Sequence, residues 1–264
     1  FGQKRDETDR LIQRELQDWA SLWTTLHERL GCQIIQNNFD APPSRSLGNH
    51  EMRDPAGFAR YLAGLNLALQ DSAPAFVTIH DLDHLAADHG RWTWGDERYF
   101  HLAKIQCAPE CQVDYAHSLA SLVVAQQGLS KKCLVLDLDN TLWGGVIGDD
   151  GLGGIRLGQG DAEGEAFVAF QRYAKELRAR GVLLAVCSKN EHTVAKEVFD
   201  RHSEMVLRYG DISCFVANWS DKPANLRLIA QRLNIGINSL VFIDDNPAER
   251  SIVRQMLPEV AVPE

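Results

Sequence analysis

No apolar run in this 264-residue chain approaches the ~20 residues needed to cross a bilayer, and no charged, apolar and small-residue succession marks a secretory leader. We therefore expect no membrane association and a cytoplasmic location. Positive charge is also scarce: 27 Lys and Arg stand against 36 Asp and Glu, a net charge of -9 that argues against nucleic-acid binding by phosphate neutralisation. The six cysteines lack the close pairing of a disulfide framework or a zinc site. His101, Cys107, Cys111 and His117 are loosely spaced, with Pro109 between the two thiols, so reduced and buried cysteines are the simpler expectation. The glycine-rich "WGGVIGDDGLGG" contains no GK[ST], which removes a Walker phosphate loop. The chain opens on Phe1 rather than Met and stops at "LPEVAVPE", from which we expect a piece of a longer polypeptide.

What is present is enough apolar material for a sizeable core, at 45% hydrophobic residues. Between Asp6 and Gly31, Ile12, Leu16, Trp19, Trp23, Leu26 and Leu30 recur at steps of three and four, which predicts one face of a helix. A β-rich "CQIIQNNF", a Pro-Pro loop, a helix at "GFARYLAGLNLALQ", a strand at "AFVTIHDL" and a helix at "YAHSLASLVVAQQGL" follow. "KKCLVLDL" then opens a second α/β run with strands at "VLLAVCS", "CFVAN" and "SLVFID" and helices around 163–180, 191–201 and 223–233. Alternating strands and helices predict a parallel sheet covered on both faces. The expected division is an N-terminal α/β domain over 1–129 and a second α/β domain over 130–264.

Sheets of this kind bind ligands beyond the carboxyl ends of their strands. Asp137 and Asp139 follow the first strand of the second domain, Ser188, Lys189 and Asn190 the second, and Asp244 and Asp245 the last, while Lys222 opens a later helix. Carboxylates at the end of a buried strand are costly unless a cation or a reacting group compensates them. Oxygen ligands suit Mg²⁺, and Ser, Lys and a helix N-terminus suit a phosphate. Any single acid here can be a helix cap, but the set together points to a phosphoryl site.

"DLDNT" matches the DxDx[TV] signature of the haloacid-dehalogenase-like (HAD) phosphotransferases, and "CSKN", "DKPAN" and "FIDDNP" fall where that superfamily keeps its Ser/Thr, Lys and acidic-pair motifs. More narrowly, "CLVLDLDNTLWGGVIGDDG", "LLAVCSKN" and "LVFIDDNPAER" resemble the FkbH-like family over about residues 130–264, with a weaker likeness from about 32 to 128. The resemblance implies a Rossmannoid HAD fold without a large cap. It also implies an enzyme that takes 1,3-bisphosphoglycerate, removes phosphate and loads a glyceryl thioester onto an acyl carrier protein in polyketide biosynthesis, in the setting of a larger synthase. The alternative is a Mg²⁺-dependent HAD phosphatase acting on a free phosphorylated metabolite.

By that similarity Asp137 is the nucleophile and Asp139 the general acid and base, its backbone carbonyl reaching the metal. Thr141 orients the loop by local hydrogen bonds, Ser188 and Lys222 bind phosphoryl oxygens, and Lys189 and Asn190 complete the substrate contacts. Asp137, Asp139, Asp244 and Asp245 form the expected metal set, with Asp244 and Asp245 not separable. Cys187 is a candidate acyl relay if Asn190 caps the following helix and the local field favours a thiolate; strand alternation instead turns it toward the helix layer as a core thiol. The glycine-rich stretch is expected to form a hairpin flap, with Trp143 and Val146 as apolar walls. The N-terminal half resembles part of an SGNH-hydrolase-like fold, but "DLDH" at 81–84 has no GDS serine to serve and is expected to be a strand-end turn.

Overall fold

The computed structural model describes residues 2–264, and they divide into two compact units, Phe1–Gly128 and Leu129–Glu264. Among the described residues no helix is long and apolar enough to cross a membrane.

The first unit holds α1 (Gly2–Leu30), β1 (Ile34–Asn37), α2 (Phe58–Ser72), β2 (Val77–His80), α3 (Leu82–His89), α4 (Arg91–Trp94), α5 (Glu97–Ala103) and α6 (Gln112–Gln126). β1 and β2 pair in parallel, Ile34 opposite Val77. The predicted helix face packs here: Ile12, Leu16, Trp19 and Trp23 gather with Leu65, Leu69 and Val77. Asp81 caps α3 by accepting from the backbone of His84 and also accepts from Asn38 Nδ2, so "DLDH" is the cap and first turn of a helix rather than the expected strand-end turn.

The second unit holds β3 (Cys133–Leu136), α7 (Ile147–Asp150), α8 (Ala162–Ala179), β4 (Leu183–Ser188), α9 (His192–Arg201), β5 (Cys214–Ala217), α10 (Lys222–Leu233), β6 (Leu240–Ile243) and α11 (Pro247–Met256). All neighbouring strands are parallel, in the order β5-β4-β3-β6. Period-two alternation sorts the apolar residues onto two faces. Leu134, Leu136, Leu184 and Val186 meet Val168, Ala174, Val198 and Phe199 on one side. Cys133, Val135, Ala185 and Cys187 meet Leu226, Ile229 and Val253 on the other. Both faces are covered, which is why these strands read as continuous apolar runs.

Strand order reverses beside β3: β4 and β5 lie on one flank and β6 on the other. Such a switch point opens a crevice at the carboxyl ends of the strands, because the connections leave β3 and β6 in opposite directions. Asp137 and Asp244 are the first residues beyond β3 and β6, held side by side by the hydrogen bond from Asp137 N to Ile243 O at 2.9 Å.

The glycine-rich stretch differs from the expected hairpin. Gly144 and Arg156 form one antiparallel bridge, but the residues between them wind into the short α7. Asp150 closes this turn by accepting from Val146 N, and Gly145, at φ +93°, supplies the conformation a side chain would resist. Completely buried Gln171 ties the turn after β3 to the segment after α9: its Nε2 donates to Leu142 O, and its Oε1 accepts from Val206 N and Leu207 N.

Candidate active site

A cavity of about 190 Å³ at the switch point is lined by Asp137, Asp139, Asn140, Ser188, Lys189, Lys222, Asp244, Asp245, Asn246 and Glu249. Lys222 is placed by the start of α10, where Asp221 caps the helix through the backbone of Ala224 and Pro223 follows. From there its side chain runs inward until only 2% of it is exposed. Nζ donates to Asp137 Oδ1 at 2.6 Å and to Cys187 O at 2.7 Å, and stands 3.1 Å from Asp244 Oδ2. Burial opposes its charge, but Asp137, Cys187 and Asp244 outweigh that and raise its pKa.

Asp244 and Asp245 follow β6, where Asn246 caps α11. Asp244 Oδ1 accepts from the backbone of Asn246, while its buried Oδ2 has no aligned hydrogen bond. Arg250 fixes the loop by donating to both backbone carbonyls, Asp244 O and Asp245 O. Carboxylate oxygens of Asp137, Asp244 and Asp245 lie within 4.8 Å of one another. Lys222 balances only part of their charge. A hard divalent cation fits this donor set, since it takes oxygen ligands and would engage the unaligned oxygen of Asp244. Burial first, and then the charge of Asp244, push the Asp137 carboxyl up to about 6 against the pull of Lys222. Burial and the neighbouring Asp244 likewise raise Asp245.

Asp139 is held apart from this trio. Its Oδ1 accepts from Trp143 Nε1 at 2.9 Å and from Ile147 N at 3.0 Å, and its Oδ2 accepts from Asn190 Nδ2 at 2.8 Å. Its carboxylate thus lines the cavity but is committed to three donors, and it does not belong to the acidic trio.

Several expectations need correction. Asn190 does not cap α9, which begins after Glu191 without a side-chain cap; its amide instead bridges Asp139 and Ser188 Oγ. Thr141 is buried and its Oγ1 has no hydrogen-bond partner, so the loop is oriented by backbone bonds such as Thr141 N to Leu138 O. Lys189 lines the cavity but pairs with Glu249. Trp143 is no open wall: it is fully buried against Phe199 and serves as a donor to Asp139.

For Cys187, the core-thiol alternative is the one that matches the structure. Its thiol is completely buried in the core facing α10 and α11, and burial pushes it up to about 12. Alternation along β4 turns it away from the cavity, and only its backbone carbonyl reaches Lys222. A sealed, protonated thiol cannot act as an acyl relay. Sequence inspection missed the roles of Trp143 and Gln171, because a buried indole and a mid-helix glutamine carry no local signal of the partner they meet.

A crystal structure of the N-terminal part of the protein BF1531 from Bacteroides fragilis, containing a phosphatase domain and complexed with Mg, matches the whole of this chain and 72% of its own length, at 37% identity and a TM-score of 0.88. A HAD family enzyme from Bacteroides thetaiotaomicron, in complex with magnesium and inorganic phosphate, aligns with 51% of this chain and 93% of its own at 14% identity. Its TM-score of 0.35 is too low to bear on the site. No family model and no curated protein matches the chain.

Proposed function

The chain belongs to the HAD superfamily, and from that premise we propose that it is a Mg²⁺-dependent phosphohydrolase working through Asp137. The observation that carries this reading is the convergence of Asp137, Lys222 and Asp244 at one sheet edge, 2.6 and 3.1 Å apart across the Lys222 ammonium. Asp137, Asp244 and Asp245 would hold Mg²⁺. When bound, the ion supplies charge neutralisation for a phosphoryl group and keeps the acids ionised.

Lys222 donates to Oδ1 of Asp137, and the Asp137 carboxylate attacks phosphorus, forming an aspartyl phosphate as the bond to the leaving oxygen breaks. The same ammonium sits where negative charge gathers on the phosphoryl oxygens. Ser188, hydrogen-bonded to Asn190 and beside Asp137, offers a hydroxyl to those oxygens. Asp139 gives a proton to the leaving oxygen and later takes one from water. Magnesium-dependent phosphate release from small phosphate esters, abolished by EDTA and restored by Mg²⁺, is the expected result. Release that ignores the metal would refute it.

The finer reading is that the phosphorylated substrate is 1,3-bisphosphoglycerate and that a glyceryl group ends on an acyl carrier protein. Its support is the FkbH-like resemblance together with an uncapped site: among the described residues, only α7 lies between β3 and α8. A second unit with no folded insertion there leaves room for a group carried on a macromolecule. Because Cys187 is sealed, the carrier's phosphopantetheine sulfur, having lost its proton, would attack the acyl carbon directly, forming the thioester as the C–O bond breaks and inorganic phosphate leaves, while Asp137 removes the remaining phosphate ester. Incubation with 1,3-bisphosphoglycerate, Mg²⁺ and phosphopantetheinylated carriers tests this. A glyceryl mass gain on a carrier supports it, and phosphate release with no gain leaves only the phosphohydrolase.

A further inference from the structure

We infer that Trp143 and Asn190 are positioning residues that aim Asp139 for proton transfer, an inference that rests on the phosphohydrolase reading above. The indole N–H is the one polar atom of a fully buried side chain, and it donates to Asp139 Oδ1 at 2.9 Å. Asn190, 5% exposed, donates to the other oxygen at 2.8 Å. Two donors on opposite oxygens fix both the position and the rotation of a carboxylate, which one donor would not.

Each donor is anchored in turn. Trp143 packs edge-on against Phe199, 6.1 Å between ring centroids, and Gln171 holds the adjoining carbonyl of Leu142. Asn190 also reaches Ser188 Oγ at 3.2 Å, so one amide links the proton-transfer acid to the hydroxyl beside Asp137. Ile147 N makes the third contact at 3.0 Å and comes from α7, so the segment bordering the site is tied to the same carboxylate. The sequence around "DLDNTLWGG" carries Trp143 six residues after the nucleophile, and the turn through Asn140, at φ +53°, brings it back over Asp139.

Aim matters most where the leaving oxygen is basic and must be protonated as the P–O bond breaks; a nitrophenolate leaves without help. The test measures kcat/KM with Mg²⁺ for p-nitrophenyl phosphate and for aryl phosphates with progressively more basic leaving groups. In Trp143→Phe, which keeps a buried ring but lacks the N–H, and in Asn190→Ala, the expected loss grows from a few-fold for p-nitrophenyl phosphate to about a hundredfold for phenyl phosphate. Asp139→Asn should show the same trend. Asn190→Ala carries the test if Trp143→Phe does not fold. An equal loss across the series, or none, overturns the inference while leaving the phosphohydrolase reading intact. Wild-type protein that releases no phosphate from any ester overturns both.

Discussion

Lys222 Nζ lies 2.6 Å from Asp137 Oδ1, 85 positions away in the chain and, like it, largely buried. There is one cation here for several carboxylates, so Lys222 cannot be removed without consequence. Breaking a buried ion pair by deleting one side strands the other charge. Lys222→Met should therefore cost about 3–5 kcal/mol of stability in metal-free protein. Mg²⁺, binding the carboxylates left without their lysine, should raise the melting temperature of this variant more than that of wild type. Thermal unfolding with EDTA and with Mg²⁺ checks both parts, and equal metal shifts would contradict the charge balance proposed for the site.

Asp137→Asn separates chemistry from folding. The amide keeps the shape of the side chain, and Lys222 retains Asp244 as an ionic neighbour. Phosphate release should fall by more than about a thousandfold, as expected when a nucleophile is lost. Unfolding should shift by only a few degrees, since the variant removes a carboxylate whose ionised form burial already disfavours. Turnover within tenfold of wild type would move the nucleophile elsewhere.

Protons and metal compete at Asp137, whose pKa burial raises from the ordinary 3.8 to about 6. Divalent ions bind the ionised carboxylate, so Mg²⁺ affinity should weaken as pH falls below 6, approaching tenfold per unit, and level off above it. The sign for metal-free stability follows from the same shift. A folded state that holds its proton more tightly than the unfolded chain gains a contribution fully present below 3.8, which is lost as pH rises to about 6. Calorimetric titration of Mg²⁺ across this range, with Asp137→Asn as reference, should show the dependence in wild type and a flatter one in the variant.

Cys187→Ala should leave phosphate release within about twofold of wild type while lowering stability by about 1 kcal/mol through a small cavity beside α10. Mass spectrometry after exposure to an acyl phosphate should find no adduct on the Cys187 thiol. A Cys187 thioester would require the strand to open, and would reverse the assignment of this residue to the core.

Much of the second unit was legible because its strands are short apolar runs and α8, α10 and α11 open on the capping side chains Asp161, Asp221 and Asn246. Helices expected at 163–180, 191–201 and 223–233 lie at Ala162–Ala179, His192–Arg201 and Lys222–Leu233. Asp137, Ser188, Lys222, Asp244 and Asp245 also meet at one cavity, since a parallel sheet delivers the ends of its strands to one edge. Contacts at a distance were not legible. Asn190 looked like a helix cap from its place before α9, yet its amide goes to Asp139, 51 residues away. The glycines of 144–154 suggested a hairpin, but the backbone of Val146 finds its partner in Asp150, and that contact closes a helical turn. α3, α4 and α5 escaped notice because they are short and lack a sustained apolar stripe.

Gln171 gives the molecule a hidden lever. One side chain fastens the turn at Leu142 to the backbone of Val206 and Leu207, so a stretch with no chemistry of its own is tied to the loop that carries Asp139 and Trp143. Changes near 206 would therefore reach the turn at Leu142 through one amide, and a search for attenuating variants has reason to look outside the cavity.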